Sequence, residues 1–247
     1  MDEMLRDLQE RAARALPAEQ VENALGWWLR HAPNCSWWVG TVLPHSVSAP
    51  DELVNRIAGA EAFYADRGTR ARFQITPGAC PEGLDAVLEE RGYRRGVSAS
   101  LQVATVERVL GQASGPSRTQ VDDHPTRAWF DVWLAVHGGD PRSERDMLDR
   151  VPGPSGYACA TVDGKVAAIG RGVSDTGWTG VFTMATLPEA RGKGAARAVL
   201  AALAEWAGSQ HSDHLYLQVE EDNAAALRLY ERAGFTPLRT YHYRTPA

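Results

Sequence analysis

Met184-Ala185-Thr186-Leu187-Pro188-Glu189-Ala190-Arg191-Gly192-Lys193-Gly194-Ala195-Ala196-Arg197 is the stretch on which the reading of this chain turns. An extended apolar run gives way, through a Pro-containing turn and a loop of small residues, to an Ala- and Leu-rich segment, 194–208, of helical character. Such a junction makes an anion site. The first N–H groups of a helix have no partner within it, and the helix dipole adds partial positive charge there. Gly192 and Gly194, followed by Ala195 and Ala196, let a pyrophosphate approach the backbone, while Arg191, Lys193 and Arg197 add charge. Taken alone, the Arg-Gly-Lys-Gly string reads as well as a solvated basic turn. No G-x-G-x-x-G accompanies it and no Gly-Lys-Ser or Gly-Lys-Thr follows, which argues against a dinucleotide fingerprint or a P-loop.

Around this stretch the pattern alternates. Helices are expected over 126–136 and 142–151, and strands over 157–162 and 165–172 joined by Asp163-Gly164, a pair suited to a type I′ turn. A strand over 178–186, the helix at 194–208, a strand over 214–219, a helix over 224–233 ended by Gly234 and a last strand over 236–243 complete an α-α-β-β-β-α-β-α-β order. An amphipathic helix is expected over 3–16, closed by Pro17.

A second cluster lies beyond one helix and one strand: Glu220-Glu221-Asp222-Asn223-Ala224-Ala225-Ala226-Leu227-Arg228-Leu229-Tyr230, with Gly234-Phe235 closing it. Asn223 suits a helix N-cap, and Tyr230 falls two turns later on the same face. Arg-x-x-Gly-x-Ala over 191–196 together with this Asn…Tyr…Gly-Phe pattern resembles the GCN5-related N-acetyltransferase (GNAT) family. The resemblance is strong from Thr126 onward and faint before it. It implies that 184–186, Met184, Ala185 and Thr186, splay from the neighbouring strand and offer backbone groups to a pantetheine arm. The backbone of 192–197 would cradle the pyrophosphate of acetyl-CoA as cosubstrate, Asn223 would hydrogen-bond the pantetheine, and Tyr230 would stand near the thioester sulfur. Transfer then needs a neutral amine, a stabilised oxyanion and a proton for the departing thiolate. Tyr230 is the expected proton donor. Members acting on peptide amines often carry Glu five residues before the Asn, where this chain has Gln218, so Glu220, on the same strand face as Gln218, is the expected base.

The first half echoes the second at a shift of 144 positions. Leu43-Pro44 falls on Leu187-Pro188 and Arg72-Phe73-Gln74-Ile75 on Tyr216-Leu217-Gln218-Val219; after a two-residue adjustment, Gly92-Tyr93 falls on Gly234-Phe235. The expected fold class is therefore α/β, with two GNAT-like domains, each a mixed, largely antiparallel sheet flanked by helices. The division expected is a degenerate domain over 1–110, a Gly/Ser/Pro linker over 111–117 and a catalytic domain over 118–247. Degeneracy is read from Val47-Ser48-Ala49-Pro50 in place of Arg191-Gly192-Lys193-Gly194, from Leu88 in place of Tyr230, and from Ala79 near the place of Asn223. Trp27, Trp28, Trp37 and Trp38 are read as core and interface, or as a wall of the acceptor site.

A net charge of -5 argues against general nucleic-acid binding, and no run of about 18 apolar residues suits a membrane span. The polar start, Met1-Asp2-Glu3-Met4, and three scattered cysteines give a cytoplasmic expectation, with no metal site. The expected activity is acetyl transfer to a primary amine of a small molecule or peptide, by a monomer or homodimer. The alternatives are another acyl-CoA donor, or a coenzyme A-binding sensor without catalysis.

Overall fold

The computed structural model describes residues 2–45, 50–112 and 118–247. Of the segments that the sequence reading singled out, 47–49 and 113–117 lie outside them. In chain order the first elements are α1 (Asp2–Ala15), β1 (Gln20–Ala24), β2 (Trp27–His31), β3 (Val42–Pro44), α2 (Pro50–Ala65), β4 (Phe73–Ile75), α3 (Leu84–Glu90) and β5 (Arg94–Thr105). There follow α4 (Val106–Gly111), β6 (Arg118–Asp122), α5 (Arg127–His137), α6 (Pro141–Leu148), β7 (Ser155–Val162), β8 (Lys165–Asp175) and β9 (Trp178–Thr186). Last come α7 (Ala195–Ser209), β10 (His214–Glu220), α8 (Ala224–Arg232) and β11 (Thr236–Thr245). The α/β class and the element order expected for the second half are observed. Strand β6 was not anticipated; its sequence, Arg118-Thr119-Gln120-Val121-Asp122, is polar and its residues are exposed or half-buried, so no apolar alternation marks it.

The chain forms two compact units. One comprises Met1–Ser100, Ser143–Arg150 and Arg239–Ala247, the other Leu101–Arg142 and Val151–Leu238. In the second unit the strands stand in the order β6-β7-β8-β9-β10, next to β5, whose residues 101–105 belong to this unit. Strands β7 and β8 form the expected hairpin, and Asp163 and Gly164 both take positive φ, 51° and 80°, as a type I′ turn requires. Helix α7 lies on one face. Its Val199, Leu200, Leu203 and Ala207 are buried with Ala158, Ala168, Leu215, Leu217 and Val219 in one core. Glycines on the strands admit it: a Cβ on Gly156 or Gly172 would strike the Trp206 ring, and one on Gly170 would strike Met184 and Val199.

In the first unit the order is β1-β2-β3-β4, followed by residues 239–245 of β11 and then 94–100 of β5. Helices α2 and α3 bury Leu53, Ile57, Tyr64, Leu84 and Leu88 against Trp27, Leu29, Val42, Phe73 and Ile75. Trp27 and Trp28 do face opposite sides of β2, Trp27 being 1% exposed and Trp28 half-buried. Strands β3 and β4 are parallel neighbours joined through α2, as β9 and β10 are joined through α7. The helices that follow end alike. The N–H of Tyr93 donates to the carbonyl of Leu88 at 3.0 Å, and that of Phe235 donates to Tyr230 at 2.9 Å; Gly92 and Gly234 each sit one residue earlier with φ of 86° and 96°.

Candidate active site

Strand β9 pairs in parallel with β10 from His214↔Trp178 to Leu217↔Val181 and no further, although both strands continue. Its other edge stays paired with β8 as far as Ala168↔Thr186, with an irregularity opposite Ile169 to Arg171. At that irregularity Thr183 adopts φ of 55°, a left-handed value unusual for a β-branched residue. The extra residue turns β9 away from β10. Backbone groups of Met184, Ala185 and Thr186 on the β10 side are therefore released from the ladder and need other partners. Ala185 is buried, and Met184 and Thr186 are half-buried. The splay expected at 184–186 is thus present. Thr183, its hinge, was not singled out from the sequence, because threonine carries no turn signal.

Beyond β9 a short 3₁₀ turn, Pro188–Ala190, leads to a loop with Gly192 at φ 77° and Gly194 at φ 84°. A Cβ on either glycine would meet nothing within 4 Å, so the loop lies beside open space. Gly194 is the N-cap of α7 and provides no side-chain hydrogen bond to it. The opening N–H groups of α7 lie beyond the reach of helix carbonyls, a ready arrangement for an anion. Arg191, Gly192, Lys193 and Gly194 are exposed, Ala195 is buried, and Ala196 and Arg197 are half-buried. Lys193 reaches Asp163 at 3.5 Å in an exposed pair of little energetic weight. The residues present therefore fit a pyrophosphate: small or glycine at each point of approach, with cations around the rim.

Strand β10 ends at Glu220, whose carbonyl accepts the N–H of Asn223 at 3.1 Å. The Asn223 side chain in turn accepts from the N–H of Ala226 at 3.1 Å, the N-cap role expected of it, which leaves its Nδ2 as a donor. Glu220 is exposed and Gln218 half-buried, on the face opposite Leu215, Leu217 and Val219, which enter the core. Tyr230, two turns into α8, is 7% exposed and lies edge-on to Phe235 with ring centroids 5.9 Å apart. Burial pushes its phenol up to about 12. The hydroxyl is thus protonated throughout the neutral range.

On the face of β8 and β9 away from α7, helix α5 brings aromatic rings. Its first turn is capped by the Thr126 hydroxyl, which accepts from the N–H of Trp129 at 3.2 Å, and the Trp129 indole donates to the carbonyl of Gly170 at 3.3 Å. Arg171, wholly buried, lies 5.2 Å from the centroid of the Phe182 ring. Phe182 and Tyr216 pack edge-on at 6.0 Å, and a Cβ on Gly180 would collide with both. The sequence carried one signal for this cluster, a glycine two residues before a strand phenylalanine.

Residues 119–235 match the family model of the acetyltransferase (GNAT) family. Over 97% of its length the chain is 26% identical to the uncharacterized N-acetyltransferase YobR of Bacillus subtilis, 98% of which is covered. Among solved structures it resembles a GCN5-related N-acetyltransferase from Kribbella flavida, with a TM-score of 0.74 and 17% identity over all of this chain and 95% of that one. It also resembles a tandem GNAT protein from the clavulanic acid biosynthesis pathway, with a TM-score of 0.65 and 13% identity over 99% and 96% of the two chains. Residues 119–235 thus carry the signature of the GNAT family of acetyltransferases, and the chain as a whole is similar to its members in fold.

Proposed function

With that match as premise, we propose that the protein transfers the acetyl group of acetyl-CoA directly to a primary amine, and that the second unit carries the chemistry. The observation that carries this reading is the coincidence, in one unit, of three features: the parting of β9 from β10 after Val181↔Leu217, the doubly left-handed glycine loop, and a buried phenol on α8. Each serves a different part of a coenzyme A thioester. Backbone groups of Met184, Ala185 and Thr186 take the pantetheine amides, as strand pairing would. The N–H groups of Gly192, Lys193, Gly194, Ala195, Ala196 and Arg197 take the pyrophosphate, with Arg191 at the rim. The Nδ2 of Asn223 hydrogen-bonds the pantetheine.

When the amine attacks the thioester carbonyl, negative charge gathers on the oxygen, and an N–H of the released β9 edge stabilises it. The carbon–sulfur bond then breaks and the thiolate takes a proton from Tyr230. At about 12 the phenol is a weaker acid than a thiol near 8.5, so the proton moves as the bond breaks and not before it. Glu220, exposed at the end of β10 beside the Asn223 turn, accepts the amine proton through water. The donor and the acceptor amine are met in the cytoplasm. Among the described residues no helix is long and apolar enough to cross a membrane.

We also read the two halves of the chain, 1–110 and 118–247, as diverged copies, of which only the second retains the donor site; the compact units cut across them, since 143–150 and 239–247 of the second half join the first unit. The like ends of α3 and α8 support this, as do the parallel crossovers β3-α2-β4 and β9-α7-β10. Leu88 stands where Tyr230 does, and Pro50, the first residue of α2, has no N–H to offer. Replacement of Tyr230 by Phe tests the catalytic reading. Thiol release in the presence of an amine should collapse while coenzyme A affinity, measured by calorimetry, holds. Undiminished turnover would remove Tyr230 from the mechanism, and a wild-type protein that binds coenzyme A but acylates no amine in a broad panel would favour a sensor.

A further inference from the structure

Among the described residues, the first unit contains a buried cation without a counter-ion. Arg30, on β2, is 4% exposed, and its Nε makes no hydrogen bond. The groups acting on it electrostatically are the phenols of Tyr243, Tyr64 and Tyr241, none of them a carboxylate, and burial lowers its affinity for its own proton. Strand register shows what shares its face of the sheet. Trp28 pairs with Leu43, Val42 is level with Phe73, and Gln74 pairs with Tyr243, so Arg30, Leu43, Gln74, Tyr241 and Tyr243 project to one side. Helices α2 and α3 cover the other side, where Asp85 and Glu89 meet Arg244.

A second donor on this face is unsatisfied. Gln74 is 4% exposed; its Oε1 accepts from the Tyr243 hydroxyl at 3.4 Å, while its Nε2 has no partner. Aromatic rings cluster about Tyr243, the partner of Gln74. Trp37 packs on Tyr243 with centroids 4.7 Å apart, Tyr241 lies 5.7 Å from Tyr243, and Arg72 stands 5.9 Å from the Trp37 centroid. Trp38, edge-on to Trp37, is 41% exposed at the margin. Removing a guanidinium from water without a carboxylate or carbonyl to receive its protons is costly, and so is an idle buried amide. Both are donors, and the strand register sets both on one face of the sheet.

We propose that this face of the first unit binds a small organic carboxylate, held side-on by the Nε edge of Arg30 and by Nε2 of Gln74, with its apolar body against Trp37, Tyr241 and Tyr243. A guanidinium and a carboxylate match in plane and spacing, and the aromatic walls select a flat, unsaturated acid over a polyol or a phosphate ester. The site rests on the first unit alone and stands whether or not the transferase chemistry is as proposed above.

Thermal unfolding of the full chain with benzoate, and with the neutral isostere benzamide, tests it, with sodium chloride matched throughout. Benzoate at about ten times its Kd should raise the midpoint by roughly 3 °C, and benzamide should leave it unchanged. Arg30→Met should abolish the benzoate shift. Gln74→Leu, which keeps the cation, should weaken benzoate about tenfold in a titration of tryptophan fluorescence. The proposal fails if benzamide or chloride alone shifts the midpoint as far as benzoate, if benzoate, phenylacetate and acetate are all inert, or if Arg30→Met responds like the parent. Should Arg30→Met not fold, unchanged benzoate affinity in Gln74→Leu overturns the site by itself.

Discussion

The two strand–helix–strand crossovers of this chain are built alike and finished differently. In the first unit β3 is three residues long, and the helix that follows it begins with a proline. In the second, β9 runs nine residues, leaves its neighbour after four of them, and delivers the chain to a loop whose two glycines hold left-handed φ. A parallel crossover by itself buries a helix on a sheet and does nothing more. What turns it toward chemistry is a strand edge left unpaired at the same end as a helix N-terminus, because both then present polar backbone to one space. Leu88 and Tyr230, at like places before like helix ends, complete the contrast: one only fills a core, the other puts a hydroxyl within it.

The contrast breaks most directly at Tyr230. Replacing it with Phe should lower kcat at least a hundredfold, about 2.7 kcal/mol in barrier, with donor affinity within twofold of wild type by calorimetry. The same substitution should alter alkaline stability with a definite sign. Wild type holds the phenol protonated up to about 12, whereas the unfolded chain ionises near 10, so the contribution is whole below pH 10 and lost as pH rises through about 12. Tyr230→Phe should therefore unfold less steeply between pH 10 and 12 in urea titrations.

Next in size is an effect confined to the first unit. Asp85 receives His242 at 2.9 Å and Arg244 at 2.6 Å. Burial works against its charge, but these hydrogen bonds prevail and hold the carboxyl below the usual range. Its stabilisation is thus present above the ordinary carboxylate pKa and is lost as pH falls through the lower, folded value. Asp85→Asn should cost ~2 kcal/mol at neutral pH, discounted for the partly exposed carboxylate, and flatten the acid limb of the stability curve.

Smaller changes sharpen the proposed donor site. Gly194→Ala should cost about 1 kcal/mol, because φ of 84° disfavours a Cβ, and should raise the donor KM roughly tenfold with kcat little changed. Asn223→Asp keeps the acceptor for Ala226 and removes the Nδ2 donor. It should leave the melting temperature in place and raise the donor KM about threefold, which separates cap from contact. Lys193→Ala should move stability by less than about 0.5 kcal/mol and the donor KM by a factor of roughly two.

Much of this was legible in the sequence because local chemistry dictates it. Gly192, Gly194, Asn223 and Gly234 occupy positions where backbone geometry or an open N–H restricts the residue type, and the Asp163-Gly164 pair fixes its hairpin. What stayed hidden depends on partners far along the chain. Thr183 bends β9 only because β8 and β10 pull its two edges differently, and polar β6 is a strand only because β7 receives it from Arg118↔Thr161 to Asp122↔Tyr157. Arg30 reads as an ordinary surface charge until the strand register carries Tyr241 and Tyr243 to its side.

The membership of 239–245 in the first unit also sets an order of events in synthesis. Strand β4 takes its antiparallel partner from His242, Tyr243 and Arg244; Asp85 binds both His242 and Arg244, and Arg244 also reaches Glu89 and the carbonyl of Tyr93. A growing chain on the ribosome thus holds an open β4 edge and an unmatched Asp85 until more than one hundred and fifty further residues have been added (Asp85 to Arg244). At roughly 5–20 residues per second that wait lasts on the order of ten to thirty seconds, during which the earlier half is the part most in need of a chaperone.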